Sequence, residues 1–403
     1  MRLLFETRVS YSMDLPSDLL EIYERIRAYG ELYVVGGAVR DTLLEKVPKD
    51  YDLATNLPPE KVMIALGARP DQIALEDTVK TENYRLDLTG KSFGVVRAWT
   101  KEGNEYEIAT FREDLTSGRN PDVKWATIED DVRRRDLTVN ALFYDIEAGE
   151  IVDLVGGLED IQNGVIRAVG DPVQRFEEDP LRVLRAIRFA ARMGSELDPD
   201  TSKGVAAAAA KQLSGTSPDR IQEEFIKGLA SAQVPQQYVD MAQQHGLMQH
   251  IFPGLSISQN TLEKAPITSQ IAALLLSNDI KQVRSTMKQM RFKGQIINKV
   301  VHLLQFAHLA LDSVVHLKKD FNRLSLTDDE VAKFSAMTGQ PDAATSSAYL
   351  RFVRAPPAIS ARELMAQGLR GPEIGAGRAK AEQEKFAQML GESRSRILKF
   401  LLS

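Results

Sequence analysis

The chain has 403 residues, more than one core comfortably holds, and its 43% hydrophobic and 27% charged content with 26 Gly and 17 Pro excludes wholesale disorder and collagen-like repeats. Zero Cys removes disulfides, thiolate zinc sites, iron–sulfur clusters and cysteine nucleophiles, leaving oxygen or histidine to hold any metal. A formal charge of −5 means that a nucleic-acid partner needs a local basic surface, and the charge total alone argues mildly against such a partner.

At the amino end, Glu6 interrupts the chain before an apolar signal core can form, so the default address is cytoplasmic. Strand-like stretches at Leu32–Val35, Gly94–Trp99, Tyr106–Phe111 and Ala141–Ile146 alternate with helical ones, which predicts an α/β or α+β head. Beyond residue 170 the strand signals fade into successive helices, among them Pro180–Met193, the alanine run Ala206–Ala210 and Arg220–Leu229. Breaks are expected at Gly156-Gly157, Ser214–Pro218, Pro253-Gly254, Gly339–Pro341 and Pro356-Pro357. Apolar runs such as Ile271–Leu276 fall far short of the roughly 18 to 20 residues that span a bilayer, so no membrane is expected.

Leu32–Val35 followed by Gly36-Gly37 and Ala38–Leu44 reads as strand, tight turn and helix, a place where backbone N–H groups can hold phosphate. The same two glycines also satisfy an ordinary steric need. Asp50-Tyr51-Asp52 in an extended segment puts two carboxylates on one face, a pattern that suits a pair of Mg²⁺ ions roughly 3.5 to 4 Å apart, or else a solvated acidic turn after Pro48. Glu105 and Glu107 share a face of a later strand, and Glu107 is preferred as a third carboxylate over the plain reading of a wet strand face.

Gly36–Asp41, Asp50–Asp52, Arg134-Arg135-Asp136-Leu137-Thr138-Val139-Asn140-Ala141, Glu178-Asp179-Pro180-Leu181-Arg182 and Leu184–Ala191 occur in one order. This set resembles the class II tRNA nucleotidyltransferases, which include CCA-adding enzymes, and their relatives the bacterial poly(A) polymerases. Ile221–Phe225 and Gly371–Gly375 resemble further motifs of the family. The resemblance implies an α+β fold: a polymerase-β-like nucleotidyltransferase head with a mixed sheet (1–145), then an all-helical neck (146–230), body (231–325) and tail (326–403). It implies addition of C and A to the 3′ end of tRNA from CTP and ATP, and it implies no protein partner. Asp50 and Asp52 would bind the metals, Gly36, Gly37 and Arg40 the triphosphate, and Asp136 and Asn140 would lie near the ribose.

The resemblance also assigns base reading to Asp179 and Arg182, and chemistry supports it. Cytosine and adenine share an exocyclic amine beside a ring-nitrogen acceptor, so a carboxylate and a guanidinium together select them against uracil and guanine. The plain alternative is a surface ion pair three residues apart. Arg133–Arg135 after Glu129-Asp130-Asp131 reads as a solvated charged turn by itself, and motif order favours triphosphate and ribose contact, including Arg135. Arg185 and Arg188 either contact phosphate or pair with Glu177 and Glu178. The five histidines form no metal-ligand spacing and are expected in the core or on helix surfaces.

Lys281, Arg284, Lys288 and Arg291 follow 3, 4, 3 spacing without an acidic residue, which fits either an RNA-tracking stripe or a solvated face opposite Val283, Met287 and Met290. Residues 116–121 stand where the family has a mobile loop linked to the change from C to A addition. Poly(A) addition, or addition of A only or of CC only to tRNA, is the near alternative, and an inactive RNA-binding scaffold the one from a different class.

Overall fold

A computed structural model describes residues 6–88, 94–116, 123–211, 213 and 216–401, so Ser117–Pro121 of the anticipated loop lie outside the described residues. The chain forms two compact units, Met1–Leu213 and Ser214–Ser403. That division falls inside the stretch expected as a neck.

The first unit opens with β1 (Thr7–Ser10), α1 (Ser17–Ile26), β2 (Leu32–Val35), α2 (Gly37–Leu43), β3 (Asp52–Thr55), α3 (Pro59–Ala65) and α4 (Pro70–Leu75). It continues through β4 (Thr78–Lys80), β5 (Arg85–Asp87), β6 (Val95–Trp99), β7 (Glu105–Thr110), the hairpin β8 (Arg112–Asp114) and β9 (Val123–Trp125), and α5 (Ile128–Arg133). Then follow β10 (Leu142–Asp145), β11 (Glu150–Asp153), α6 (Gly157–Asn163), β12 (Val165–Ile166), α7 (Pro172–Glu178), α8 (Leu181–Met193), β13 (Glu196–Leu197) and α9 (Pro199–Lys211).

Nine strands make one sheet in the order β1-β11-β10-β2-β3-β7-β6-β5-β4. Every pair is antiparallel except β3 with β7, so the sheet is mixed, as the α+β expectation requires. Period-two alternation sorts its side chains into two cores. Leu32, Val34, Leu53, Leu142, Tyr144 and Ile151 join the core that also takes Leu19, Ile22, Tyr23 and Ile26 from α1. Tyr33, Val35, Ala54, Phe143 and Val152 face the other way, with Phe111 and Val132. Because β2 is buried on both faces, it reads as a continuous apolar run rather than an alternating one.

Four expected strands are present within a residue or two, whereas β1, β4, β5 and β11 went unforeseen. These have three or four residues, and β1 is exposed throughout, so no alternation betrays it; it exists because β11 offers it a ladder. The expected all-helical remainder from residue 146 needs correction, since β11 lies within it and pairs with β1 and β10 of the sheet, and β12 and β13 form a two-residue parallel pair.

Among the described residues of the second unit the chain is helical, from Pro218–Ser231 to the thirty-residue helix Pro372–Leu401. His302 is core, as expected of the histidines: its Nε2 lies 3.0 Å from the Tyr349 hydroxyl, and burial pushes it down to about 4. No described helix is long and apolar enough to cross a membrane.

The Thr138–Asn140 turn is pressed against the start of α6, where buried Asp153 accepts from the N–H groups of Val155, Gly156, Gly157 and Leu158. A Cβ on Gly157 would sit 2.3 Å from the Thr138 carbonyl oxygen. Gly157→Ala is therefore expected to lower unfolding stability by about 1 to 3 kcal/mol in a urea titration; a loss below about 0.5 kcal/mol would contradict this packing.

Candidate active site

The site forms where β2 and β3 meet. Val35, the last residue of β2, lies opposite Asp52, the first of β3, and Asp52 is paired with Glu107 of β7. Past Val35 the chain turns at Gly36 with φ +66°, a conformation that strains any side chain. A Cβ there would lie 3.4 Å from the Asn140 carbonyl oxygen and 3.5 Å from Arg135 Nη1. The Gly36 N–H donates to the Leu142 carbonyl at 3.0 Å, which fastens the turn to β10. Register thus brings the glycine turn, the head of β3 and the Thr138–Asn140 turn to one place.

Asp50 and Asp52 both reach solvent. Protein crowds Asp52 from the sides all the same, and this loss of water, with the Glu107 and Asp50 charges, pushes its carboxyl above the ordinary value against the pull of Arg135. Glu107 is engaged elsewhere: its Oε1 accepts from Arg97 Nε at 2.9 Å, and Arg97 also lies 3.8 Å from Glu105. Among the described residues, no group of three or more His, Asp or Glu side chains is arranged to hold a metal ion. Two crowded oxygen donors nonetheless suit a hard divalent cation, which would relieve their repulsion.

Around the turn, carboxylates hold arginines. Burial alone would push the Asp131 carboxyl up, but Arg135 and Arg134 at 3.0 and 2.6 Å outweigh it and hold it low. Arg135 also stacks over Phe143, 4.7 Å from the ring centroid. Asp136 behaves alike: burial opposes its charge, and Arg185 Nε at 2.6 Å, with Asn140, lowers its pKa. Arg40 is buried; its Nε and Nη2 donate to Asp41, and its Nη1 donates to the Asn140 Oδ1. Burial lowers the Arg40 pKa, opposed by Asp41.

On α8, Arg182 donates to Glu178 at 2.8 Å and to the Arg134 carbonyl at 2.8 Å, while Asp179 sits half-buried in extended backbone just before the helix. Arg185, expected to contact phosphate or to pair with Glu177 and Glu178, places its Nε 2.6 Å from Asp136 Oδ2. Arg188 is buried and lies 4.4 Å over the Phe189 ring.

Three residues escaped the sequence reading. Asp131 was expected in a solvated turn, yet its side chain is 1% exposed; its spacing of three and four from Arg134 and Arg135, just past the end of α5, was the available signal. Asp41 ends the quoted glycine motif, and Arg192, which donates to it at 2.8 Å, continues the spacing of Arg185 and Arg188.

In the second unit the expected basic stripe is divided. Lys281 and Lys288 are exposed on the helix Ile280–Gln289, opposite buried Val283 and Met287. Arg284 donates to Asn298 at 2.9 Å, whereas Arg291 falls outside the helix at φ +56° and lies 2.8 Å from Asp219.

Residues 32–167 match a family model described as Poly A polymerase head domain, and residues 194–258 match one described as probable RNA and SrmB-binding site of polymerase A. The chain is 33% identical over 284 residues to poly(A) polymerase I of Salmonella typhimurium, covering 68% of this chain and 58% of that protein's length. It is 32% identical over 393 residues to the CCA-adding enzyme of Lactobacillus helveticus, covering 92% of each. Its fold is similar to that of the Bacillus stearothermophilus CCA-adding enzyme crystallised with CTP, with a TM-score of 0.70 at 22% identity over 96% of this chain and 100% of the other. That likeness bears out the fold expected from the motifs.

The raised Asp52 carboxyl carries a stability consequence. Its ionised form is disfavoured in the fold, so the deficit is absent below the unfolded pKa of about 3.9 and grows as pH rises through the folded value. With divalent cations chelated, Asp52→Asn should melt at a higher temperature than the wild type at pH 7, with the difference closing toward pH 4. A variant less stable at pH 7 would show that Asp52 is not electrostatically strained.

Proposed function

The chain belongs to the family that unites CCA-adding enzymes with bacterial poly(A) polymerases, and from that premise we propose that it adds C and A to the 3′ end of tRNA. CTP and ATP are the donors, no nucleic-acid template is read, and pyrophosphate leaves. One observation carries the choice: similarity to a CCA-adding enzyme runs through 92% of this chain, against 68% for poly(A) polymerase I.

Asp50 and Asp52 hold Mg²⁺, with Glu107 as an auxiliary acid. The cation supplies charge that favours ionisation of the attacking 3′-hydroxyl and offsets the leaving pyrophosphate. Backbone N–H groups of the Gly36-Gly37 turn receive the triphosphate, Arg135 flanks it, and buried Arg40 supports the turn from beneath. Asp136 and Asn140 border the ribose, with Arg185 and Arg188 behind them. Asp179 accepts from the exocyclic amine shared by C and A, and Arg182 donates to the adjacent ring nitrogen. Arg182 suits this role because Glu178 and the Arg134 carbonyl hold its fork in place. Residues 1–145 act as head, 146–230 as neck, 231–325 as body and 326–403 as tail, in a cytoplasmic protein.

Incubation with tRNAs lacking three, two or one terminal nucleotides, each nucleoside triphosphate supplied singly, tests the reading. Ordered addition that stops after the final A supports it. The second reading, poly(A) addition, is favoured by the 33% identity to poly(A) polymerase I and predicts unlimited extension of any RNA by ATP alone.

Asp50→Ala and Asp52→Ala should each reduce addition more than about a hundredfold while leaving tRNA affinity within about threefold of wild type. Turnover within tenfold of wild type would remove the pair from the chemistry.

Lys281 and Lys288 meet tRNA phosphates in this reading, because an acidic chain needs a local basic surface. Changing both to Gln should reduce the slope of log affinity against log salt by about one to two units in a filter-binding series. An unchanged slope would return this helix face to solvent.

A further inference from the structure

On α8, Arg185, Phe189 and Arg192 recur at i, i+4 and i+7 and so share one face. That face meets a closed ring of polar contacts. Arg192 Nη2 donates to Asp41 Oδ2 at 2.8 Å, and Asp41 Oδ1 accepts from Arg40 Nε and Nη2 at 2.9 and 2.7 Å. Arg40 Nη1 donates to Asn140 Oδ1, and Asn140 Nδ2 donates to Asp136 Oδ1 at 3.3 Å. Asp136 Oδ2 accepts from Arg185 Nε at 2.6 Å, which returns the ring to α8. Phe189 fills its centre, with the Arg40 and Arg185 guanidinium carbons 4.9 and 5.7 Å from the ring centroid.

Each link constrains the next. Arg40 occupies the Asn140 side-chain Oδ1, so the amide can point only its nitrogen toward Asp136. Asp41 divides its two oxygens between Arg40 and Arg192; without Arg192 one oxygen loses its partner and the carboxylate is free to rotate. Arg40 is 3% exposed and Arg192 32% exposed, so losing Arg192 costs the fold less than losing Arg40.

We propose that Arg192 is a positioning residue for the nucleotide, acting through Asp41 and Arg40 on Asn140 and so on the sugar of a bound nucleoside triphosphate. This rests on the reading of the site as nucleotide-binding. Arg192 couples the far end of α8, the helix that carries Arg182 at its start, to the glycine turn, so base reading and sugar placement share one frame.

The test measures CMP addition to tRNA lacking its last three nucleotides, by the full chain and by Arg192→Met, Arg192→Lys, Asn140→Ala and the Arg192→Met/Asn140→Ala double variant. Arg192→Met should raise KM for CTP about tenfold and weaken the preference for CTP over dCTP, with KM for tRNA unchanged. Its melting temperature should stay within about 2 °C of wild type, and Arg192→Lys should recover most of the CTP affinity. The double variant should be no worse than Asn140→Ala alone, because the two residues lie on one path. An unchanged KM for CTP in Arg192→Met would overturn the proposal, as would losses that multiply in the double variant. So would a parallel rise of both KM values with a collapsed melting temperature, the mark of a merely structural role. A wild-type chain that neither adds nucleotides nor binds CTP would overturn the site reading itself, and the proposal with it.

Discussion

A carboxylate buried beside a guanidinium is stable only as part of a satisfied pair, and this constraint shapes the first unit around its glycine turn. Asp131 holds Arg134 and Arg135, Asp136 holds Arg185, and Asp41 holds Arg40 and Arg192. Three acids thereby fix five cations drawn from α2, α8 and the segment after α5. Each acid is bound to more positive charge than it can cancel, or to a cation shared with the solvent side. The wall beside Gly36 therefore carries a positive surplus that suits a triphosphate.

The opposite condition holds at the head of β3. Asp52 is crowded by protein and by the charges of Glu107 and Asp50, and the pull of Arg135 does not fully offset them. An acidic end and a basic end thus stand on either side of the turn from β2 to α2. A polyanionic nucleotide and a divalent cation together complement both ends, whereas either alone complements one. In a chain of net charge −5, the positive charge near the turn is thus local and held by buried acids.

Much of this was legible in the sequence because it is local. The run Leu32–Val35 into two glycines and the helix opening at Pro180 each follow from short-range geometry, and they stand where expected. What was not legible depends on pairing between distant segments. Asp131 looked solvated among charged neighbours, yet it is buried and its Oδ1 also accepts from the Arg112 N–H, 19 positions away. Arg185 had acidic residues close by in sequence, yet its partner Asp136 lies 49 positions away. The four-cation stripe followed helical spacing through Arg291, but the helix ends at Gln289 and the last cation leaves the face. Strands β4 and β5 were hidden because three residues carry no period, and only their neighbours define them.

The central claim is that an acidic pair and an arginine wall together form one nucleotide site that prefers C and A. Calorimetric titration of the full chain with CTP, ATP, UTP and GTP, with and without Mg²⁺, tests it most directly, with Arg182→Ala as the comparison. The account predicts cation-dependent binding of CTP and ATP, at least about tenfold weaker binding of UTP and GTP, and loss of that preference in Arg182→Ala. Equal binding of all four nucleotides by the wild type, or binding indifferent to Mg²⁺, would contradict it.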